Sequence, residues 1–152
     1  MAVHQIQRHI GVAPPDLSLL LEEASGEGFD FVERTRTEWI TAENRFDLDR
    51  EGFWVATISS GVIGMCGINI DPYVGDPMVG RLRHLYVVDD YRGNGIGAEL
   101  VSTVMRFAVG RFHTVRLRTP SELADKFYDE YGFDRSTSEN ASHEISGAHR
   151  FT

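Results

Sequence analysis

Leu85-Tyr86-Val87-Val88-Asp89-Asp90-Tyr91-Arg92-Gly93-Asn94-Gly95-Ile96-Gly97-Ala98 is the stretch on which the fold of this chain turns. Its first four residues have strand character, and three glycines then fall within five positions. Beyond them Leu100/Val101, Val104/Met105 and Ala108/Val109 recur at helical spacing, with Glu99, Ser102, Thr103 and Arg106 polar between them. A helix N-terminus offers unpaired N–H groups and partial positive charge, and glycine lets a ligand approach the backbone. A strand feeding such a turn therefore suits a phosphate or pyrophosphate, and Arg92 can add a charge-assisted contact. Glycines that only make a tight turn are the plainer alternative. A Walker loop needs Gly-Lys-Ser/Thr after its second glycine, and the chain has no such tripeptide. A dinucleotide fold can be matched to Gly93 through Ala98 as GxGxxA, but the next strand ends on Arg118 rather than an acid. Only about 55 residues then remain for a sheet that normally continues through several βα units.

On the N-terminal side of the turn, positions 82–88 read as a strand with Leu82, His84, Tyr86 and Val88 on one face and Arg83, Leu85 and Val87 on the other. A loop punctuated by Pro72, Gly75, Pro77 and Gly80 precedes it. Before that, positions 53–58, the turn Ser59-Ser60-Gly61 and positions 62–70 predict a β-hairpin. Its apolar residues on both faces place it inside a sheet covered on both sides. Positions 3–10 suit an edge strand, and Pro14-Pro15-Asp16 stops it and caps a helix carrying Leu17, Leu19, Leu20, Leu21 and Ala24, ended near Gly26 and Gly28. A second helix starts at Asp30, with Glu33 in capping-box spacing and Val32, Trp39 and Ile40 inward.

On the C-terminal side, positions 113–118 form a further strand. Thr119-Pro120-Ser121-Glu122 joins a capping threonine, a proline at the first helical position and a glutamate at the third. Leu123, Ala124, Phe127, Tyr128 and Tyr131 then line one helical face, and Gly132 supplies the stop with Phe133 packing back. Positions 134–152 are polar and weakly patterned, consistent with one or two strands.

Composition bounds the rest. The chain has 152 residues, 41% of them hydrophobic and 25% charged. Such a chain buries roughly 70% of its unfolded surface as a single domain, and no linker or repeat divides positions 1–152. The lone cysteine, Cys66, excludes an internal disulfide and a thiolate-built zinc site, and reads as a small buried strand residue. No metal is expected. No run approaches the roughly 18–20 apolar residues of a membrane span, and the N-terminus lacks a signal-peptide layout. A soluble, cytoplasmic protein is the expectation. A formal charge of -8 argues against a nucleic-acid partner and leans toward a cationic small molecule, although it also serves solubility.

Arg92-Gly93-Asn94-Gly95-Ile96-Gly97 resembles the Arg/Gln-x-x-Gly-x-Gly/Ala signature of the GNAT superfamily of acetyl-CoA-dependent N-acetyltransferases, and Leu85-Tyr86-Val87 and Tyr91 match the run into it. A second block agrees: Ala124, Phe127, Tyr128, Gly132 and Phe133 look like the family's Asn-x-x-Ala-x-x-x-Tyr-x-x-x-Gly-Phe helix, with Ser121 in place of asparagine. The resemblance implies a central, mixed, mostly antiparallel sheet of six to seven strands flanked by about four helices. It implies that backbone N–H groups of Arg92, Gly93, Asn94, Gly95, Ile96 and Gly97 hold the pyrophosphate of acetyl-CoA. Backbone groups near Leu85, Tyr86 and Val87 would pair with the pantetheine arm, and Ser121 would either bond that arm or simply begin its helix. An amine of a small molecule or peptide would attack the thioester directly, with Tyr128 protonating the departing thiolate; homodimers are frequent in the family.

Departures accompany the match. Many relatives carry a base glutamate where this chain has Arg81, and an arginine does not act as a base near neutral pH. His84, Asp71, Glu43, His143 and Glu144 are replacements by residue type. The missing glutamate also suits a second reading, a coenzyme A-binding sensor or interaction domain without chemistry. By resemblance the acceptor site involves positions 24–48, 71–80 and the C-terminal segment. Glu27, Asp30, Glu33, Asp47, Asp71 and Asp76 stand there beside Phe29, Phe31, Trp39, Phe46 and Tyr73, an acidic, aromatic-edged setting suited to a protonated amine.

Overall fold

Apolar residues on both faces of the central strands require a helical layer on each side, and the chain supplies both. The computed structural model describes residues 3–119 and 121–147. Seven strands, β1 (Gln5–Arg8), β2 (Gly52–Ile58), β3 (Gly61–Ile70), β4 (Val79–Val87), β5 (Thr114–Leu117), β6 (Asp134–Arg135) and β7 (His143–Ser146), form one sheet in the order β1-β2-β3-β4-β5-β7-β6. All neighbours pair antiparallel except β4 with β5, which run parallel. Helices α1 (Ser18–Gly26) and α2 (Phe31–Ile40) share a core with Phe53, Val55, Met65 and Tyr86 of the sheet. Helices α3 (Ile96–Ala108) and α4 (Glu122–Tyr131) share the other core with Ala56, Cys66, Ile68 and Leu82. This is the mixed, mostly antiparallel α/β arrangement expected. The predicted Pro120 helix start and the segment from 148 onward lie outside the described residues.

Several local expectations change. Asp30 makes no side-chain cap on α2 and instead pairs with Arg34 at 3.7 Å. Ile40, expected inward, is exposed, and Thr35 takes a buried place on that helix. Ser121 rather than Thr119 caps α4, its Oγ accepting from the Ala124 amide at 3.3 Å. Leu123 at its first turn is exposed, as is Val109 after α3. Gly80 is no loop punctuation: it lies within β4, where a Cβ would come within 3.0 Å of the Phe112 ring.

The largest correction concerns β4. Met65 faces Tyr86 and Gly67 faces Arg83, so Cys66 alone stands opposite His84 and Leu85. β4 carries one extra residue here, a β-bulge, with His84 at φ 65, left-handed backbone rare outside glycine. The simple alternation of faces therefore fails. Leu82 joins the α3/α4 core, whereas Tyr86 joins the α1/α2 core, although both are even-numbered.

Candidate active site

A strand, a turn and two helices converge at the open end of β4. Parallel pairing with β5 stops at Arg81 and Arg116, so among the described residues the remaining length of β4 has β3 on one side and no strand on the other. Leu85, Tyr86 and Val87 lie on this part of β4, which β5 does not pair. Asp89 to Tyr91 then form one short 3-10 turn that leads to the glycines.

The three glycines serve different purposes. Gly93 and Gly95 both sit at φ 81, a conformation that side-chain-bearing residues resist, and a Cβ on either would face open space. Gly97 has ordinary helical geometry, and its added Cβ would rest 3.9 Å from the Phe127 ring and from Val87. The first acceptor within α3 is the Gly95 carbonyl, taking the Glu99 amide at 3.0 Å. The amides of Ile96, Gly97 and Ala98 accordingly have no acceptor within the helix. Open space above backbone donors at a helix start is a setting for an anion.

Arg92 does not reach into that space. Its Nε donates to the Val87 carbonyl at 2.7 Å, and its guanidinium pairs with Glu27 at 3.1 Å and Glu23 at 3.5 Å while lying over the Tyr86 ring. The Arg92 amide is itself bonded to the Asp89 carbonyl at 3.1 Å. Tyr86 Oη donates toward Glu23 at 2.7 Å and Glu27 at 2.5 Å, so α1 is tied to the turn from beneath. Bonds from Arg92 and then Tyr86 hold the Glu27 carboxyl below its usual range. Nothing in the sequence pattern marked Glu23, and its role comes from tertiary placement.

Tyr128 lies on α4, 6% exposed, its ring against Phe127, Phe133 and His143. Burial, with the Cys66 thiol as a neighbour, holds the phenol well above its ordinary pKa, so it stays protonated at neutral pH. Cys66 is itself fully buried, and burial pushes its thiol up as well. It behaves as the core residue expected. Ser121 accepts from Ala124, and an accepting hydroxyl retains its own proton to donate.

Most replacements for the absent glutamate are occupied. Asp71 is buried, with Oδ2 3.2 Å from Arg81 and 3.8 Å from Arg116 and Oδ1 accepting the Tyr73 amide. His143 is enclosed, Nδ1 on Ser142 and Nε2 on Asp129, each at 2.9 Å. Glu144 lies on β7 opposite Arg116. Glu43 lines a cleft of about 300 Å³ with Glu38, Asn44, Asp47, Asn69 and Arg83. Arg83, the residue before His84, is part of its lining. So is a reciprocal amide pair, Asn44 to Asn69 at 3.1 Å and the reverse at 3.0 Å. Of the acids expected around an acceptor, Glu27, Asp30, Glu33 and Asp71 pair with arginines and Asp76 with His113, while Asp47 remains on the cleft wall. Trp39 and Phe46 belong to the core, and Phe29 and Tyr73 are exposed.

Known proteins share this arrangement. Residues 49–135 match the model of the acetyltransferase (GNAT) domain. The chain is 35% identical over 129 residues to a probable N-acetyltransferase family 8 member 5 of Mus musculus, covering 79% of this chain and 56% of that protein. It is 35% identical over 105 residues to the probable N-acetyltransferase camello of Xenopus laevis, covering 66% and 47%. The chain thus spans about half the length of these curated relatives. A crystal structure of a candidate acetyltransferase from Exiguobacterium sp. 255-15 superposes with a TM-score of 0.84 at 30% identity, covering 95% of this chain and 93% of that one. An acetyltransferase from Streptococcus agalactiae shares the fold at TM-score 0.71 and 21% identity, over 93% and 95% of the two chains.

Proposed function

The chain belongs to the GNAT acetyltransferase family, and we propose that it transfers an acetyl group from acetyl-CoA directly to a primary amine of a small molecule or peptide. The observation that carries this reading is the unpaired edge of β4 beyond Arg81, opening beside the Gly93–Gly95 turn with Tyr128 on the adjacent helix. The residues present fit coenzyme A. The edge offers backbone groups at Leu85, Tyr86 and Val87 to an extended arm, as an added strand does. The amides of Gly93, Asn94, Gly95, Ile96 and Gly97 offer donors to a pyrophosphate at a helix start. Arg92 would act here mainly from below, bracing the turn through Glu27.

When bound, acetyl-CoA supplies a thioester whose carbonyl carbon is open to an amine and whose sulfur leaves. Tyr128 holds a proton at its phenol at neutral pH and would give it to that sulfur. An acceptor amine would enter by the cleft beside Arg83, whose carboxylate-lined wall suits a cation. Arg81, fixed on Asp71, contributes charge rather than a base. Among the described residues no helix is long and apolar enough to cross a membrane, and no three His, Cys, Asp or Glu side chains gather to hold a metal.

Incubation with acetyl-CoA and a panel of small amines, lysine peptides and peptide N-termini, followed by thiol release, tests the proposal. Turnover above background hydrolysis with at least one amine is expected. Tight binding of acetyl-CoA with no transfer to any of them would instead favour a coenzyme A-binding sensor domain.

A further inference from the structure

Among the described residues, Nε2 of His84 is the buried side-chain nitrogen or oxygen that has no hydrogen-bond partner. Buried polar atoms are nearly always paired, so an orphan at a bulge calls for an explanation. The tautomer of this ring follows from its neighbours. Thr35 Oγ1 gives its one proton to the Phe31 carbonyl at 2.7 Å and therefore receives a proton from His84 Nδ1 at 2.5 Å. Nδ1 carries the hydrogen, and Nε2 is left with a bare lone pair. The backbone at His84 is held at φ 65 inside a strand, a strained state that persists where surroundings enforce it and that concentrates at functional sites.

Position completes the case. Cys66, opposite the bulge, has its side chain in the α3/α4 core within electrostatic reach of the Tyr128 phenol. His84 contacts Phe31 and Phe46, on the α1/α2 side. A proton donor and a proton acceptor thus flank one bulge from opposite faces of the sheet, where β4 parts from β5. We propose that His84 is a catalytic residue of this acetyltransferase: its Nε2 accepts the proton of the attacking amine, with Thr35 as the positioning residue that fixes the tautomer. This rests on the acetyltransferase reading above. As the amine nitrogen bonds to the thioester carbon, its proton passes to His84 Nε2 and on to solvent. The carbon–sulfur bond breaks, and the thiolate takes the Tyr128 proton, which solvent restores.

Burial, then Arg83 on β4 and Arg34 on α2, pushes the His84 pKa down to about 3, so the ring stays neutral and its Nε2 lone pair unprotonated throughout the neutral range. A base this weak takes a proton only as the amine nitrogen bonds to the thioester carbon and loses its own basicity. The same two cations discourage an ammonium from persisting beside His84 and favour the neutral, nucleophilic amine.

Two measurements test the proposal. Nitrogen-15 NMR of the protein without acetyl-CoA should show His84 as the Nδ1–H tautomer, shifting toward a tautomer mixture in Thr35→Val; an Nε2–H ring in the wild type overturns it. For activity, His84→Asn and His84→Gly both tolerate positive φ. With an amine that the wild type acetylates, each should lose about 10²–10⁴-fold in kcat while acetyl-CoA affinity stays within about threefold. Imidazole should restore part of the rate of His84→Gly only. Should His84→Gly fail to fold, His84→Asn decides. A folded His84→Asn within twofold of wild-type kcat removes His84 and leaves the acetyltransferase reading standing. A wild type that acetylates no amine removes both.

Discussion

The two flanks of β4 are built by different means. On the cofactor side the candidate ligands are main-chain groups: the free edge of the strand, the glycine turn and the first amides of α3. On the proposed acceptor side the candidate groups are side chains from distant segments, Thr35 and Glu38 on α2, Asn44 in a loop, Asn69 on β3 and His84 at the bulge. Main-chain recognition depends on local geometry and so leaves a compact mark in sequence. Side-chain recognition depends on which segments meet and leaves none. Tyr86, Glu27 and Arg92 join the two sides.

The comparison breaks most sharply at Tyr128. Tyr128→Phe should lower kcat by about 10- to 1,000-fold with little change in acetyl-CoA affinity, as loss of a general acid does; steady-state kinetics at saturating amine would show it. Unchanged turnover would remove Tyr128 from the role. Next comes the turn. Gly95→Val places a branched side chain at φ 81, a strain of about 1–3 kcal/mol, and should weaken acetyl-CoA binding roughly 10- to 100-fold by calorimetry. Gly97→Ala should stay within about threefold, since its Cβ meets only contacts at 3.9 Å. Equal losses at both positions would mean that the turn works by side-chain exclusion rather than backbone conformation.

A smaller effect is expected where the two sides are tied. Arg92→Ala should lower the thermal midpoint by roughly 2–4 °C, what about 1 kcal/mol produces in a domain of this size. Arg92→Lys should recover little of it, because an ammonium does not span Val87, Glu27 and Glu23 at once. Smallest is an acid-side change in stability. Arg135, then His143, lowers the Asp129 carboxyl from 3.8 to about 2. A depressed carboxylate stabilises the fold above its unfolded pKa and loses that contribution as pH falls through the folded one. Unfolding midpoints followed from pH 5 downward should therefore fall less steeply between about pH 4 and 2 in Asp129→Asn than in the wild type.

Much of the fold was legible. The hairpin of β2 and β3, the amphipathic α3 and the α4 stop at Gly132 each declare themselves within a few residues. Gly132 sits at φ 120, and the Phe133 amide reaches back to the Tyr128 carbonyl at 3.0 Å. The errors were of one kind. Thr119 and Asp30 have the residue types of caps, yet Ser121 caps one helix and the other has no side-chain cap, because capping depends on where the chain enters the helix. Strict alternation along β4 failed because a bulge leaves no period in the sequence. Of the five substitutes for the absent glutamate, residue type alone favoured none.

Sequence alone determined that a strand, a glycine turn and a helix would follow one another here, and that Tyr128 would lie on a further helix, because backbone conformation and helical spacing act over a few residues. Only the tertiary structure decided that Arg92 turns under the loop, that β4 bulges at His84 and that one ring nitrogen is left bare. Those outcomes depend on Glu23, Glu27, Thr35 and Cys66, whose positions beside β4 are set by packing across two cores.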